Sequence, residues 1–457
     1  MTDREPKSVY DVFTPTTQAR LNFVPRPSVN DALVSALMTP GKQLIVYGET
    51  GSGKSTILQR KLEELYPAHV TTRCTSGMTF DQVLLNAFDQ LGPFYMSEAS
   101  RLSSTERRGG LSAEFAGIKA SMEAAHQLSG TAVWTRAIPP QLTVQRLGEF
   151  IGAAGRCWLL EDFHKVDDSE KRYLAQALKV FSDLAADYRD LRLIAVGATD
   201  TAREVVEYDP EMRNRVSEVL VPLMSDEELG EIVDGGAELL NVDLNALKNS
   251  FVRYSMGVAA VTHQLALNVC FNEGVLETQS DPFVFETRHL EGSLQKWVDD
   301  SSDSVKAKFD AALRRHRVRR FDNTRLILAA MAQGPIEGML QGEILSSIKT
   351  DEPDYPASNL TLYLRQLLTE QRGSLVILSP DGRYRFVDPL HHTYAKVALR
   401  RPAGRGGAWS IRLDHDVRSS FVTELLDLSA FWTEGTIQIK GPGVRIPAQT
   451  PPIEIED

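Results

Sequence analysis

The first half of the chain repeats one pattern: a short, almost wholly apolar run that stops on glycine or a polar residue, followed by a longer stretch with helical periodicity. KQLIVY, HVTTRCT, GRCWLLED, LRLIAVGAT and SEVLVPLM are the apolar runs, and each is predicted to be a buried strand. Before and between them, NDALVSALM, FDQVLLNAFDQL and SEKRYLAQALKVFSDLAADY place apolar residues three and four apart, as helices packed on a sheet do. Alternation of strand and helix predicts an α/β fold, a parallel sheet sandwiched by helices. From residue 225 the strand pattern ends. DEELGEIVDGGAELL, VAAVTHQLALNVC and RHLEGSLQKWV predict a small helical bundle over 225–300.

A third pattern covers 320–400. Three helical stretches (TRLILAAMA, LQGEILSSI, SNLTLYLRQLLTEQ) precede two strands, SLVIL and RYRFV, joined by the tight turn Ser379-Pro380-Asp381-Gly382. Three helices and a hairpin in that order predict a winged helix. The expected organisation is therefore an N-terminal arm (1–40), an α/β core (41–224) with a polar insertion at 94–140, a helical lid (225–300), the winged helix (320–400) and a C-terminal extension (401–457). Length supports two to three domains, since 457 residues exceed one ordinary core.

Composition narrows the class. With 42% hydrophobic and 24% charged residues, the chain reads as a globular protein. Its longest apolar run, Leu326 to Ala332, is far too short to span a bilayer, and MTDREPKSVYDV lacks a signal-peptide core, so no membrane partner and a cytoplasmic location are expected. Cys74, Cys157 and Cys270 are isolated, which fits reduced thiols rather than a disulfide or metal framework.

The run GETGSGKST after the first strand carries the chemistry. Gly48, Glu49, Thr50, Gly51, Ser52, Gly53, Lys54, Ser55 and Thr56 fit G-x-x-x-x-G-K-[ST], and the strand before and helix after are the context that motif needs. Small residues let backbone N–H groups turn inward around an anion, and the following helix adds its positive end. Lys54 is expected to reach the β- and γ-phosphates and Ser55 to ligate Mg²⁺. CWLLEDFHKV delivers two acids at a strand's carboxyl end: Glu161 is expected to hold Mg²⁺ and Asp162 to orient or polarise the attacking water. No NKxD element follows, so ATP is favoured over GTP.

Together these elements resemble an AAA+ ATPase of the origin-recognition and helicase-loader, transposition-regulator and STAND-like branch, over residues 20 to 400. The resemblance implies ATP hydrolysis with Mg²⁺. It implies that Phe23-Val24-Pro25-Arg26 covers the adenine, with Arg26 among the nucleotide contacts, and that Thr199 or Asp200, closing LRLIAVGATD, is a polar sensor. It further implies that Arg213 or Arg215 of PEMRNRVSEV, with Arg215 preferred, is lent to a neighbouring subunit's nucleotide in a homo-oligomer. Two departures stand out. The acids run Glu161 then Asp162, the reverse of the usual order, and the lid segment YSMGVAAVTHQL carries Gly257 but no arginine, leaving His263 as its one polar candidate beside a core-histidine reading.

Charge separates the partners. Net charge is −11, yet 18 Lys and Arg face 11 Asp and Glu between Ser301 and Arg412, leaving 32 against 50 elsewhere. Basic residues 306–320 (Lys306, Lys308, Arg314, Arg315, Arg317, Arg319, Arg320) and 400–405 (Arg400, Arg401, Arg405) flank the winged helix, as phosphate-binding surfaces do. The third helix carries only Arg365 and Arg372, thin for reading bases. A wing that touches DNA and a wing that packs on its own ATPase core are both open. Two activities follow: an ATPase that oligomerises and regulates a partner complex, on DNA or off it, and a nucleotide-locked switch acting through protein contacts alone.

Overall fold

The computed structural model describes residues 6–91, 142–197, 210–314 and 320–400, with three short strands beyond them. The 94–140 insertion, Thr199, Asp200, and Arg315, Arg317, Arg319, Arg401 and Arg405 lie outside the described residues.

Helices α1 (Val9–Val12) and α2 (Pro27–Met38) precede strand β1 (Gln43–Tyr47), and α3 (Lys54–Leu65) leads to β2 (Val70–Arg73). Helices α4 (Phe80–Gln90) and α5 (Val144–Ala153) come before β3 (Cys157–Glu161). Then follow α6 (Asp168–Leu184), β4 (Arg192–Gly197), a 3-10 turn at Pro210–Asn214 and β5 (Val216–Leu220). The five strands form one parallel sheet in the order β2-β3-β4-β1-β5. The three inner strands, β3, β4 and β1, are buried on both faces because helices cover both, while the edge strands β2 and β5 carry exposed polar residues. Leu44, Val46, Cys157, Leu159, Ile194 and Val196 pack with α2 and α3, while their neighbours Ile45, Trp158, Leu160, Leu193 and Ala195 pack with α4, α5 and α6. Two large buried polar side chains of the sheet find partners: Arg192 donates to the carbonyls of Leu37, Arg189 and Leu191, and Trp158 Nε1 donates to Thr72 Oγ1 at 3.1 Å.

The helical lid contains α7 (Asp226–Leu240), α8 (Asn245–Ser255), α9 (Ala259–Asn272) and α10 (Leu290–Asp299), with a two-stranded parallel pair, β6 (Val242–Asp243) and β7 (Phe283–Val284). Helix α7 begins on a capping box in which Ser225 accepts from the Glu228 N–H and Glu228 accepts from that of Ser225. The N-terminal arm belongs to this layer: Val9, Val12 and Phe13 are buried in the lid's core, and Asn22 Nδ2 donates to the Ile232 carbonyl at 2.8 Å.

After α11 (Asp303–Leu313) come α12 (Asn323–Gln333), α13 (Gln341–Asp351) and α14 (Ala357–Leu367), then the antiparallel hairpin β8 (Val376–Leu378) and β9 (Tyr384–Phe386) and helix α15 (Pro389–Ala398). The three helices and hairpin occur in the order the sequence pattern predicts. Helix α15 ties them to the lid: Thr393 Oγ1 donates to the Ser255 carbonyl at 3.5 Å, and Tyr394 packs on Trp297. Two compact units divide the chain, Met1–Val397 and Ala398–Asp457. The second contains strands β10 (Ser410–Ile411), β11 (Phe431–Thr433) and β12 (Thr436–Gln438), antiparallel with β12 central. Among the described residues no helix is long and apolar enough to cross a membrane.

Candidate functional site

The loop from Gly48 to Gly53 leaves the carboxyl end of β1, a central strand, and feeds directly into α3. Its glycines are dictated by space and backbone conformation. Gly48, at φ 151°, has room for nothing more, since a Cβ there would lie 2.2 Å from the Val221 carbonyl oxygen. Gly51, at φ 79°, abuts Val258 of the lid, and Gly53 starts α3 in the left-handed region at φ 87°. Lys54 Nζ donates to the carbonyls of Gly48 (3.0 Å) and Glu49 (2.8 Å). Burial holds its ammonium below the ordinary lysine range, opposed by the nearby charges of Glu49, Asp162 and Asp388. Ser52 Oγ is buried with no hydrogen-bond partner, a polar atom turned into a closed loop.

A cavity of about 440 Å³ opens on this loop. The loop and the first turn of α3 (Gly48, Thr50–Ile57) form one wall, and Asp162 and His164 flank it. The arm (Thr14–Ala19, Asn22–Val24) and lid residues Ile232, Ala259, Ala260 and His263 close the far side. The volume suits a ligand of a few hundred Å³ with an anionic end at the loop and an apolar end between arm and lid.

Asp162 lines the cavity in the left-handed conformation (φ 56°), with its carboxylate 2.7 Å from Lys165 Nζ. Glu161 is not among the lining residues; its carboxylate meets Arg73 Nε on the adjoining strand at 3.1 Å. The pair thus divides, one acid facing the loop and the other the sheet edge. His164, two residues on, is a lining residue that the strand pattern did not single out; burial lowers its pKa while Asp162 opposes. Its only sequence signal is its place in LLEDFH.

Arg26 is 7% exposed and all three nitrogens of its guanidinium donate. Nε donates to Glu228 (3.1 Å), Nη1 to the Ser52 (3.2 Å) and Pro222 (2.9 Å) carbonyls, and Nη2 to Leu223 (3.3 Å). It clamps the phosphate-type loop, the end of β5 and the lid together. His263 is 4% exposed; its Nδ1 accepts from the Thr14 N–H at 3.3 Å, which leaves the proton on Nε2, and burial lowers its pKa to about 4. Thr14 Oγ1 beside it is buried without a partner.

Arg213 and Arg215 stand elsewhere. Arg215 is level with the start of β1, where its carbonyl accepts from Gln43 N–H, and it pairs with Asp183 on α6. Arg213 is exposed on the preceding turn. Of the basic groups, Arg372 is turned inward onto the Ala312 and Arg314 carbonyls, Arg320 pairs with Asp354 at 2.8 Å, and Arg365 is exposed on α14.

No family model matches the chain, and no curated protein matches it. Among solved structures the chain is similar to Cdc6p from Pyrobaculum aerophilum, at 16% identity and TM-score 0.38 over 85% of this chain and 97% of that one. It is similar to the Aeropyrum pernix ORC2 protein in ADPNP–ADP complexes, at 12% identity and TM-score 0.43 over 85% and 96%. It is likewise similar to the Aeropyrum pernix ORC1 protein in complex with DNA, at 13% identity and TM-score 0.38 over 87% and 97%.

Proposed function

We propose that this protein is an ATP-binding switch of AAA+ type that hydrolyses ATP slowly and uses the nucleotide to change its association with a partner complex. One observation carries the reading: a single cavity joins the glycine loop, Lys54, Ser55 and Asp162 to the arm and the lid. Lys54 turns from the loop carbonyls to the β- and γ-phosphates, and the loop N–H groups with the start of α3 hold the anion. Ser55, which lines the cavity, would hold Mg²⁺, and the ion would neutralise phosphate charge. Among the described residues no cluster of three or more His, Cys, Asp or Glu is arranged to hold a metal alone. Asp162 would orient or polarise the attacking water, and Glu161 would hold Mg²⁺ through water. Phe23 and Val24 line the adenine end, while Arg26 serves by fixing the loop. Thr199 or Asp200 is the polar sensor, and Arg213 or Arg215 acts on another copy's nucleotide.

The elements over 320–400 form a winged helix in this reading, with Lys306, Lys308 and Arg314 as its basic flank toward DNA. A second reading, a nucleotide-locked switch acting through protein contacts, is favoured by the approach of β9 to the loop, where Arg385 Nη1 lies 3.6 Å from Glu49 Oε1.

Equilibrium binding of ATP and ADP, with phosphate release, tests the function. The wild type should bind both and turn over ATP, Lys54→Ala should lose binding, and Asp162→Asn should bind ATP without turnover. Binding by Lys54→Ala equal to wild type removes the proposal. Rings or filaments formed only with ATP favour the first reading; nucleotide retained through purification by a monomer favours the second.

A further inference from the structure

The C-terminal hairpin reaches the loop with complementary charge. Arg385 sits on β9 opposite Ile377, its Nε donates to Ser379 Oγ at 3.3 Å, and its Nη1 lies 3.6 Å from the Glu49 carboxylate. Glu49 is also the residue whose carbonyl receives Lys54 Nζ. Asp388, three residues beyond Arg385, acts electrostatically on Lys54. Glu49, Arg385 and Asp388 line a second cavity, of about 1310 Å³, that lies between the loop edge, α7 and the hairpin and also receives Glu337. Lys248 and Arg253 of the lid and Lys396 of α15 line the same cavity.

We propose that Arg385 is the residue by which the protein distinguishes a nucleoside triphosphate from a diphosphate, acting on its own loop; the proposal rests on the nucleotide reading above. The side chains of Arg385 and Glu49 are 30% and 35% exposed, so their pairing is weak and exchangeable. A terminal phosphate offers a stronger partner. It brings extra negative charge and three acceptor oxygens, which a planar guanidinium binds through two parallel N–H donors. As Lys54 leaves the Gly48 and Glu49 carbonyls for the phosphates, Arg385 passes from the carboxylate of Glu49 to the same anion. Asp388 is repelled by that charge, so the hairpin is re-seated rather than merely tightened. A diphosphate leaves the terminal position empty and the Arg385–Glu49 pair in place.

The test measures Kd for ADP and for a non-hydrolysable ATP analogue, with Mg²⁺, in wild type, Arg385→Ala, Arg385→Lys and Asp388→Asn, all as the full chain. Arg385→Ala should hold ADP within about twofold and bind the analogue about tenfold more weakly, the scale of one charge-assisted contact. Arg385→Lys should recover part of that loss, and Asp388→Asn should tighten the analogue selectively. An unchanged ratio of the two constants in Arg385→Ala, or equal losses for both ligands, overturns the proposal while leaving nucleotide binding intact. Failure of the wild type to bind either ligand would instead remove the underlying function.

Discussion

Gly51 in the loop touches Val258 at the foot of the lid so closely that a methyl group on Gly51 would lie 2.6 Å from Val258 Cγ1. Loop and lid are therefore in contact before any ligand arrives. Gly51→Ala adds both that collision and a Cβ at φ 79°, and should destabilise by about 1–3 kcal/mol while weakening nucleotide binding. Adding Val258→Ala should recover the steric part and leave the backbone part, as thermal melts and ATP titrations of the two variants will reveal.

Arg26 is a structural clamp with a buried fork. Arg26→Met keeps the volume and removes every donor, leaving the carbonyls of Ser52, Pro222 and Leu223 and the Glu228 carboxylate short of partners. The expected loss is about 3–5 kcal/mol in urea unfolding, the range for breaking a buried charged network. Arg26→Lys should recover little, because one ammonium cannot reach four acceptors in a planar array. A loss below 0.5 kcal/mol would contradict the clamp.

Two buried histidines set an acid limit. Burial holds His263 and His392 at about 4, below the ordinary 6.5, and for His392 the Ala332 carbonyl opposes the shift while Lys396 adds to it. Both must stay neutral in the fold. The unfolded chain binds their protons first, so stability is complete above about pH 6.5 and falls as pH drops toward 4, by roughly 3 kcal/mol for each group at the lower end. Urea midpoints for His263→Gln at pH 7 and pH 5 should differ less than those of wild type; an equal difference would exclude His263 as a contributor.

The three cysteines should be inert in the folded protein. Burial raises Cys74, Cys157 and Cys270 to about 12. At pH 8 that lowers the thiolate fraction roughly a thousandfold relative to an exposed thiol. A chromogenic disulfide reagent should therefore react only on unfolding, and rapid native labelling of any one of them would contradict its placement.

The sheet was readable because its inner strands are buried on both faces, and α7 because its cap and periodicity agree from Asp226 to Leu240. Helix α5 gave no such signal. Gly148 and Gly152 resemble a loop, yet they allow the helix to approach Leu184 and Tyr188, where a Cβ would fall 2.6 and 2.5 Å away. Helix α15 was hidden for the opposite reason: it buries His391, His392, Thr393 and Lys396 among Tyr394, Ala395 and Val397, so no clean apolar stripe marks it. At the site, spacing identified the loop and the acids. It was silent on which acid faces the cavity, on the role of Arg26 as a clamp and on Arg385, which lies more than 300 residues away in sequence. These depend on packing, which no local pattern encodes.

The position of Arg215 has a kinetic corollary. It is level with Gln43 at the start of β1, whereas the loop leaves from Tyr47, about 13 Å along the strand at some 3.3 Å per residue. An arginine held there cannot serve the loop of its own molecule. Any turnover that requires it would be second order at low occupancy, so specific activity would climb with enzyme concentration and vanish on dilution, a signature an ordinary monomeric hydrolase lacks.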